Sequence, residues 1–253
     1  CIVIIKDPDS DWINWGTYRM MVHDEKHMGV YFHRQNQGGV LFYDKFEPRN
    51  KAMPMAVIVG GDPLHHIAAA MPFGVGESEV DFAGALKQNP VELVKAETID
   101  LPVPANAEIV LEGEVLPGVR LQEGPFMEWT RHQSTFTSSP VFRLKAITHR
   151  NNPIITLGVG PLTNDEVPMV TVEREMRARK FLLERGIPVT ELHCPEPMRG
   201  ATWVVAVKRT EEANIAKRVE HCLKALQSGL PVWTVVVDED VDVYNLTEVL
   251  HAL

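Results

Sequence analysis

The sequence predicts an α+β protein, a sheet-rich and irregular first part followed by a regular alternation of strands and helices. Three observations carry that expectation. Short β-branched and aromatic runs bounded by Gly, Pro and Asp dominate up to about residue 140. Two helices in that part are marked by their starting residues, Pro63 and Ser78. Beyond residue 140, strand-like runs alternate with longer helical patterns, as in an open α/β layer. The change of rhythm places a soft boundary there, giving regions 1–140 and 141–253.

Cys1-Ile-Val-Ile-Ile5 is a continuous apolar run that reads as a strand, ended by the turn-rich Asp7-Pro-Asp-Ser-Asp11. Gly29–Phe32 and Val40–Tyr43 are β-branched and aromatic, with a polar stretch between them that carries two glycines, and read as a hairpin or as sheet neighbours. Ala56–Val59 is another strand, and Gly60-Gly-Asp-Pro63 turns into a helix over Leu64–Ala70. Pro63 suits the first turn, where a missing N–H costs nothing. A second helix covers Glu79–Leu86, and short strands follow at Val91–Ala96 and Glu108–Glu112. Phe142–His149 is a strand with a pairing partner near Ile154–Leu157. A helix over Val170–Leu183 ends at Gly186, and strands follow at Val189–Leu192 and Trp203–Val207. A helix over Glu211–Leu226 is closed by Gly229, and a strand at Val232–Val237 leads to the start of a last helix. No initiator methionine precedes Cys1, and Val249–Leu253 still reads as helix where the sequence stops, so it reads as a piece of a longer chain.

Composition excludes several function classes. The formal net charge of −9 argues against a nucleic-acid partner, which needs clustered cations. No apolar stretch approaches the roughly 20 residues of a membrane span, and no signal peptide is visible. Cys1, Cys194 and Cys222 form neither a zinc pattern nor a disulfide framework, as expected in a reducing, cytoplasmic setting.

Four segments carry residues suited to chemistry. In Asn14-Trp-Gly-Thr-Tyr-Arg19, Arg19 offers a forked donor set that can clamp a carboxylate or phosphate, although from spacing alone a surface turn with a salt-bridged Arg is the simpler reading. Gly60-Gly-Asp-Pro63 can bring N–H groups near a phosphate but matches neither standard nucleotide fingerprint, and a structural turn is the simpler reading. In Ser78-Glu-Val-Asp81, Ser78 can cap a helix, or Glu79 can ligate a hard divalent ion. Glu123-Gly-Pro-Phe-Met-Glu128 sets two carboxylates across a proline turn. Either both are solvated, or they share a cleft in which one stays ionised while the other carries a proton. The histidines show no zinc spacing.

Taken in order, these segments resemble the UbiD family of decarboxylases that use prenylated flavin mononucleotide. Asn14-Trp-Gly-Thr-Tyr-Arg19, Gly60-Gly-Asp-Pro63, Ser78-Glu79 with Phe82-Ala-Gly84, Glu123-Gly-Pro-Phe-Met-Glu128, Ile147-Thr-His-Arg150 and Val237-Asp-Glu-Asp240 fall in register with family elements across nearly the whole chain. The resemblance implies a split β-barrel of the flavin reductase type over 1–140, which binds the prenylated flavin, and a truncated C-terminal α/β domain over 141–253.

It also implies site residues. Arg19, Glu123 and Glu128 match the family's catalytic set, with Glu128 as the acid. Asn14, Trp15, Gly16, Tyr18, Arg19, Asn36, Gln37, Met71 and Glu79 match cofactor-binding positions. Asn14, Gln37 and Glu79 would hold manganese, and the carbonyls of Trp15, Ala68, Ala69 and Met71 would surround potassium. The implied activity is reversible non-oxidative decarboxylation of an aromatic or α,β-unsaturated acid through a covalent prenylated-flavin adduct, with CO2 as product. A flavin prenyltransferase would supply the cofactor, and the enzyme would be a homo-oligomer. His33 and His132 tilt the expected substrate toward a hydroxybenzoate-like acid. Two departures stand out: Gln37 replaces the family's usual histidine ligand, and Met127 replaces a common glycine. An FMN-dependent oxidoreductase and a non-catalytic subunit of the same fold are the alternative readings.

Overall fold

A computed structural model describes residues 1–71, 73–128, 132–155, 157, 167–198, 200–226 and 232–253. The chain forms two compact units, the first made of Cys1–Phe126 with Gln133–Leu157, the second of Met127–His132 with Gly158–Leu253. No helix among the described residues is long and apolar enough to cross a membrane.

The first unit runs in chain order through β1 (Ile2–Lys6), β2 (Ile13–Gly16), β3 (Met20–Val22), β4 (His27–Val30), α1 (Gln37–Val40), β5 (Met53–Val59), α2 (Pro63–Ala70) and α3 (Glu79–Lys87). It continues with β6 (Leu93–Lys95), β7 (Pro102–Pro104), β8 (Ile109–Glu123) and β9 (Thr137–His149). Seven of these strands pair antiparallel in the order β2-β1-β5-β8-β9-β4-β3, while β6 and β7 pair separately. Alternation along β1 feeds two cores. Val3 and Ile5 pack with Tyr18, Phe32, Phe42 and Met53 on one face. Ile2 and Ile4 pack with Trp15, Ile58, Leu101 and Val110 on the other. A strand covered on both faces has to be apolar throughout, which accounts for the unbroken run at the start of the sequence.

The strand expected at Val40–Tyr43 is not formed. α1 continues into π-helical turns at Leu41–Phe46 and a short turn at Glu47–Arg49, ended by Asn50 in the left-handed region with φ 51°. Asn36 starts this winding, its Oδ1 accepting the Gly39 N–H at 2.7 Å. Leu41, Phe42 and Phe46 then turn into the first core. The β-propensity of Val, Phe and Tyr yields to a cap and a helical apolar face. Gly29–Phe32 contributes to β4, whose partners are β3 and β9.

β8 runs far beyond the expected Glu108–Glu112. Its pairing with β9 carries two register shifts, one at Glu112/Gly113 that passes over Lys145 of β9 and one at Leu116/Arg120 that passes over Pro117-Gly118-Val119. The boundary read near residue 140 falls inside β9, whose pairing with β8 carries the first unit on to Leu157. Phe142–His149 therefore pairs with β8; Ile154, Ile155 and Leu157 are not in a strand, and 156 lies outside the described residues.

The second unit contains α4 (Val167–Glu184), β10 (Val189–His193), β11 (Thr202–Val207), α5 (Ile215–Leu226), β12 (Trp233–Asp238) and α6 (Leu246–His251). β11 is central, antiparallel to β10 and parallel to β12. Its Trp203, Val205 and Val207 meet Ala178 and Leu182 of α4 and Val219 and Leu223 of α5. Val204 and Ala206 meet Val243 and Val249 on the other face. The elements expected here all form; Gly229 lies outside the described residues.

Glu112 shows how the first unit tolerates a buried charge. It is 1% exposed, and its carboxylate accepts the Glu97 N–H at 3.0 Å, the Thr98 N–H at 2.6 Å and the Thr98 hydroxyl at 2.7 Å. Burial alone would push this carboxyl up, but these donors and the Ile99 N–H outweigh it and hold the group below the ordinary glutamate range. A depressed folded-state pKa contributes stability above the unfolded value and loses it as pH falls through the folded one. Glu112→Gln is therefore expected to lower stability at pH 7 by about 1–3 kcal/mol. In urea unfolding at neutral and acidic pH, the gap between wild type and variant should close on the acid side.

Candidate functional site

β2 divides its side chains between the two cores. Asn14 is paired with Ile5 and Gly16 with Val3, whereas Trp15 is paired with Ile4 and enters the second core. Asn14 is thus a polar residue on an apolar face, fully buried. Tyr18 completes its surroundings. The Tyr18 ring packs edge-on against Phe32 at 5.0 Å, and space for it exists because positions 16 and 38 are glycines. A Cβ at Gly16 would lie 2.6 Å from the Tyr18 ring, and one at Gly38 2.7 Å from it. The Tyr18 hydroxyl donates to Asn14 Oδ1 at 3.0 Å and accepts the Gly38 N–H at 2.9 Å, tying β2 to the start of α1. Burial, opposed by the Gly38 N–H and reinforced by the charge of Glu79, pushes the Tyr18 phenol up to about 12, so it stays a donor.

Asn14 Nδ2 donates to Gln37 Oε1 at 2.6 Å and to Glu79 Oε1 at 3.3 Å. Glu79 Oε2 accepts the Trp15 N–H at 3.0 Å. Gln37 is held from behind, its Nε2 donating to the carbonyls of Phe73 at 2.7 Å and Gly74 at 3.1 Å. Glu79 opens α3 while Ser78 caps it, Ser78 Oγ accepting the Asp81 N–H at 3.1 Å. The helix cap and the inward carboxylate are therefore both present. Glu79 is fully buried, and burial raises its carboxyl pKa in spite of the N–H donors around it. Gln37 Oε1 and Glu79 Oε1 converge on the Asn14 amide, which turns its N–H to both while Tyr18 holds its Oδ1, so one amide oxygen and one carboxylate face the cluster, hard donors of the kind a divalent cation takes. Among the described residues no group of three or more His, Cys, Asp and Glu is placed to hold a metal.

Ala68 and Ala69 are buried at the end of α2, and Ala69 shares the core of Trp15. The Ala68 carbonyl accepts the Met71 N–H, and the Met71 carbonyl accepts the Phe73 N–H, both at 3.1 Å. Asn36 spends its Oδ1 on capping α1. Gly60 and Gly61 take φ of 78° and 131°, and Asp62 caps α2. A Cβ at Gly60 would lie 2.6 Å from the Ile154 carbonyl, so this segment packs as a structural turn.

A second group forms around Glu123, the last residue of β8. Arg19 Nε meets Glu123 Oε1 at 3.2 Å and its Nη2 meets Oε2 at 3.3 Å, a two-point contact to a carboxylate with no exposure. The Arg19 guanidinium lies 4.7 Å from the Tyr31 ring centre and 5.1 Å from that of Phe126. The Phe126 N–H donates to Ser134 Oγ at 2.9 Å, and Met21 Sδ accepts the Gly124 N–H at 3.4 Å, which fastens the turn after Glu123.

Glu128 belongs to the segment Met127–His132 of the second unit. It is half-buried, and its N–H donates to the His132 carbonyl at 2.9 Å. Met127 is exposed, as are His33 and His132, and 129–131 lie outside the described residues. Sequence reasoning missed the rings of Tyr31 and Phe126, the Phe73 and Gly74 carbonyls, and Thr137 and Ser139, which also bond Glu123. For Thr137 and Ser139 the spacing of two on one strand is a signal, but only once the pairing partner is known.

Residues 1–162 match the family model described as 3-octaprenyl-4-hydroxybenzoate carboxy-lyase Rift-related domain. Residues 169–253 match the C-terminal domain of the same carboxy-lyase. The chain belongs to the UbiD family. It is 33% identical to a phenolic acid decarboxylase of Bacillus subtilis, over 98% of this chain and 53% of that protein. The structure of the UbiD-class enzyme HmfF from Pelotomaculum thermopropionicum in complex with prFMN superposes with a TM-score of 0.89 at 30% identity, covering 99% of this chain and 57% of that one. The closed form of the Sedimentibacter hydroxybenzoicus vanillic acid decarboxylase superposes with a TM-score of 0.82 at 31% identity, covering 99% and 54%. The chain thus spans about half the length of the curated relatives it matches.

Tyr18→Phe keeps the ring and strands two buried partners, Asn14 Oδ1 and the Gly38 N–H. It is expected to cost about 1–3 kcal/mol in urea unfolding. Gly38→Ala is expected to destabilise through the clash with the Tyr18 ring, and less so in the Tyr18→Ala background. Additive losses would contradict the packing described.

Proposed function

We propose that this protein is a carboxy-lyase that removes CO2 reversibly, without net oxidation, from an aromatic or α,β-unsaturated carboxylic acid, with prenylated FMN as its cofactor. One observation carries the reading. The short segment Asn14–Arg19 serves two sites of different chemistry, Asn14 bonding Gln37 and the buried Glu79, and Arg19 gripping Glu123. The likeness to a UbiD-class enzyme solved with prFMN and to a phenolic acid decarboxylase supports the cofactor and the substrate class. The seven-stranded sheet is then the split barrel of the cofactor domain, and the working form contains more than one copy of the chain.

In this reading Asn14, Gln37 and Glu79 would hold a manganese ion, Asn14 contributing its Oδ1 once its amide is turned over. The carbonyls of Trp15, Ala68, Ala69 and Met71 hold potassium. Gln37 replaces an imidazole by an amide oxygen, a weaker but still suitable ligand for a hard cation. Loss of CO2 from an unsaturated carbon leaves a carbanion that side chains cannot delocalise, and prenylated FMN supplies the electron sink when bound. Arg19 orients the substrate carboxylate with its planar fork, while Glu123 holds the guanidinium from the other side. Glu128, in its acid form, delivers a proton to the carbon that lost the carboxylate. The hydroxybenzoate-like class is favoured among substrates.

The test is CO2 release from a panel of hydroxybenzoate-like and cinnamate-like acids, using protein co-expressed with a flavin prenyltransferase. Arg19→Ala and Glu128→Gln are each expected to lower turnover by roughly a hundredfold or more, with flavin still bound in Glu128→Gln. Glu79→Gln is expected to lose manganese and flavin together, read by metal analysis and absorbance. Unchanged turnover in Glu128→Gln would remove the acid assignment. Activity with FMN alone would point to an oxidoreductase.

A further inference from the structure

Glu123 owes its surroundings to strand register. In the β8–β9 ladder Glu123 is paired with Thr137, and Leu121 with Ser139. Directly opposed residues share a face, as do residues two apart on one strand. Thr137 and Ser139 therefore project on the same side as Glu123, one across from it and one a diagonal step away. Ser139 Oγ donates to Glu123 Oε2 at 2.7 Å, and Thr137 Oγ1 donates to the same oxygen at 3.3 Å. Glu123 is 0% and Ser139 1% exposed, so water does not compete for either group.

A carboxylate turns broadly about its last torsion, and the Arg19 fork meets both oxygens only when the two planes align. Arg19 sits on a long, partly exposed side chain. Ser139 sits on a short one, inside a sheet, with little freedom. Of the partners of Glu123, the Ser139 hydroxyl, the nearer of the two on β9, is the one rigid enough to set the carboxylate plane.

We propose that Ser139, supported by Thr137, is a positioning residue of the Arg19–Glu123 pair. Its hydroxyl fixes the plane of the Glu123 carboxylate, and that plane fixes where the guanidinium points. The kinetic consequence rests on the decarboxylase reading; the structural one does not. A serine buried only for its small size would behave differently, because volume rather than the hydroxyl would then matter.

The experiment compares the full, cofactor-loaded protein with Ser139→Ala, Ser139→Cys and Ser139→Thr. Cys keeps nearly the volume of Ser and is a weak donor, whereas Thr keeps the hydroxyl. Turnover is expected to fall roughly ten- to a hundredfold in both Ala and Cys variants, with melting temperatures close to wild type and activity retained with Thr. Crystal structures of the Ala and Cys variants should show at least one of the two Arg19–Glu123 contacts opened by about 1 Å or more. Full turnover in the Ala or Cys variant, or an intact two-point contact in their crystals, would overturn the proposal. If wild type releases CO2 from no acid in the panel, the decarboxylase reading falls, and the crystals alone decide the role of Ser139.

Discussion

Removing a carboxylate from water is costly unless its charge or its lone pairs are answered, and among the described residues of the first unit three carboxylates, Glu79, Glu112 and Glu123, are no more than 1% exposed. Each is answered differently. Glu112 is met by backbone N–H groups and a threonine hydroxyl, a closed local arrangement. Glu123 is met by a guanidinium and two hydroxyls. Glu79 has the Trp15 N–H and the Asn14 amide, and its carboxyl pKa is driven upward. Among the described residues no lysine or arginine pairs with it. In the proposed function the positive charge at Glu79 would come from the divalent cation; without one, burial favours the protonated carboxyl.

Elements whose ends carry chemistry were legible in the sequence. Pro63 starts α2 and Ser78 starts α3, and Ser78 makes the expected cap bond, while the Asp62 cap of α2 emerged only from the structure. The run at β1 and the alternation of the second unit were legible because burial on both faces leaves an unbroken apolar string. β2 was hidden because Asn14 and Gly16 are poor strand formers, kept there by the polar cluster and by the Tyr18 ring. Val40–Tyr43 misled for the opposite reason, since good strand formers follow a cap and two glycines whose importance lies in what packs against them. Asn14, Gln37 and Glu79 could be named through resemblance and are brought together by the fold. Their convergence is a property of three separate elements and has no local signature.

The two units bury charge and carry chemistry unequally. The second is built around β11, and its cores are made mainly of aliphatic side chains with Trp203 and Cys194. The first interleaves polar residues with its cores at β2, α1 and α3. This matches the division of the two family models, which meet between residues 162 and 169.

The double burial of β1 has a consequence for how the chain finds its fold. Ile2, Val3, Ile4 and Ile5 are so alike that sliding the strand by one residue would exchange the contents of the two cores at little hydrophobic cost. Hydrophobicity alone is therefore a poor guide to alignment at the centre of the sheet. The missing information sits on its neighbour β2, where a slip would turn Asn14 away from Gln37 and Glu79 and drive Trp15 into the space kept open by Gly16 and Gly38. The residues that prepare the site thus also act as the sheet's alignment key, and sequence change there is constrained twice, by chemistry and by the need to fold in one register.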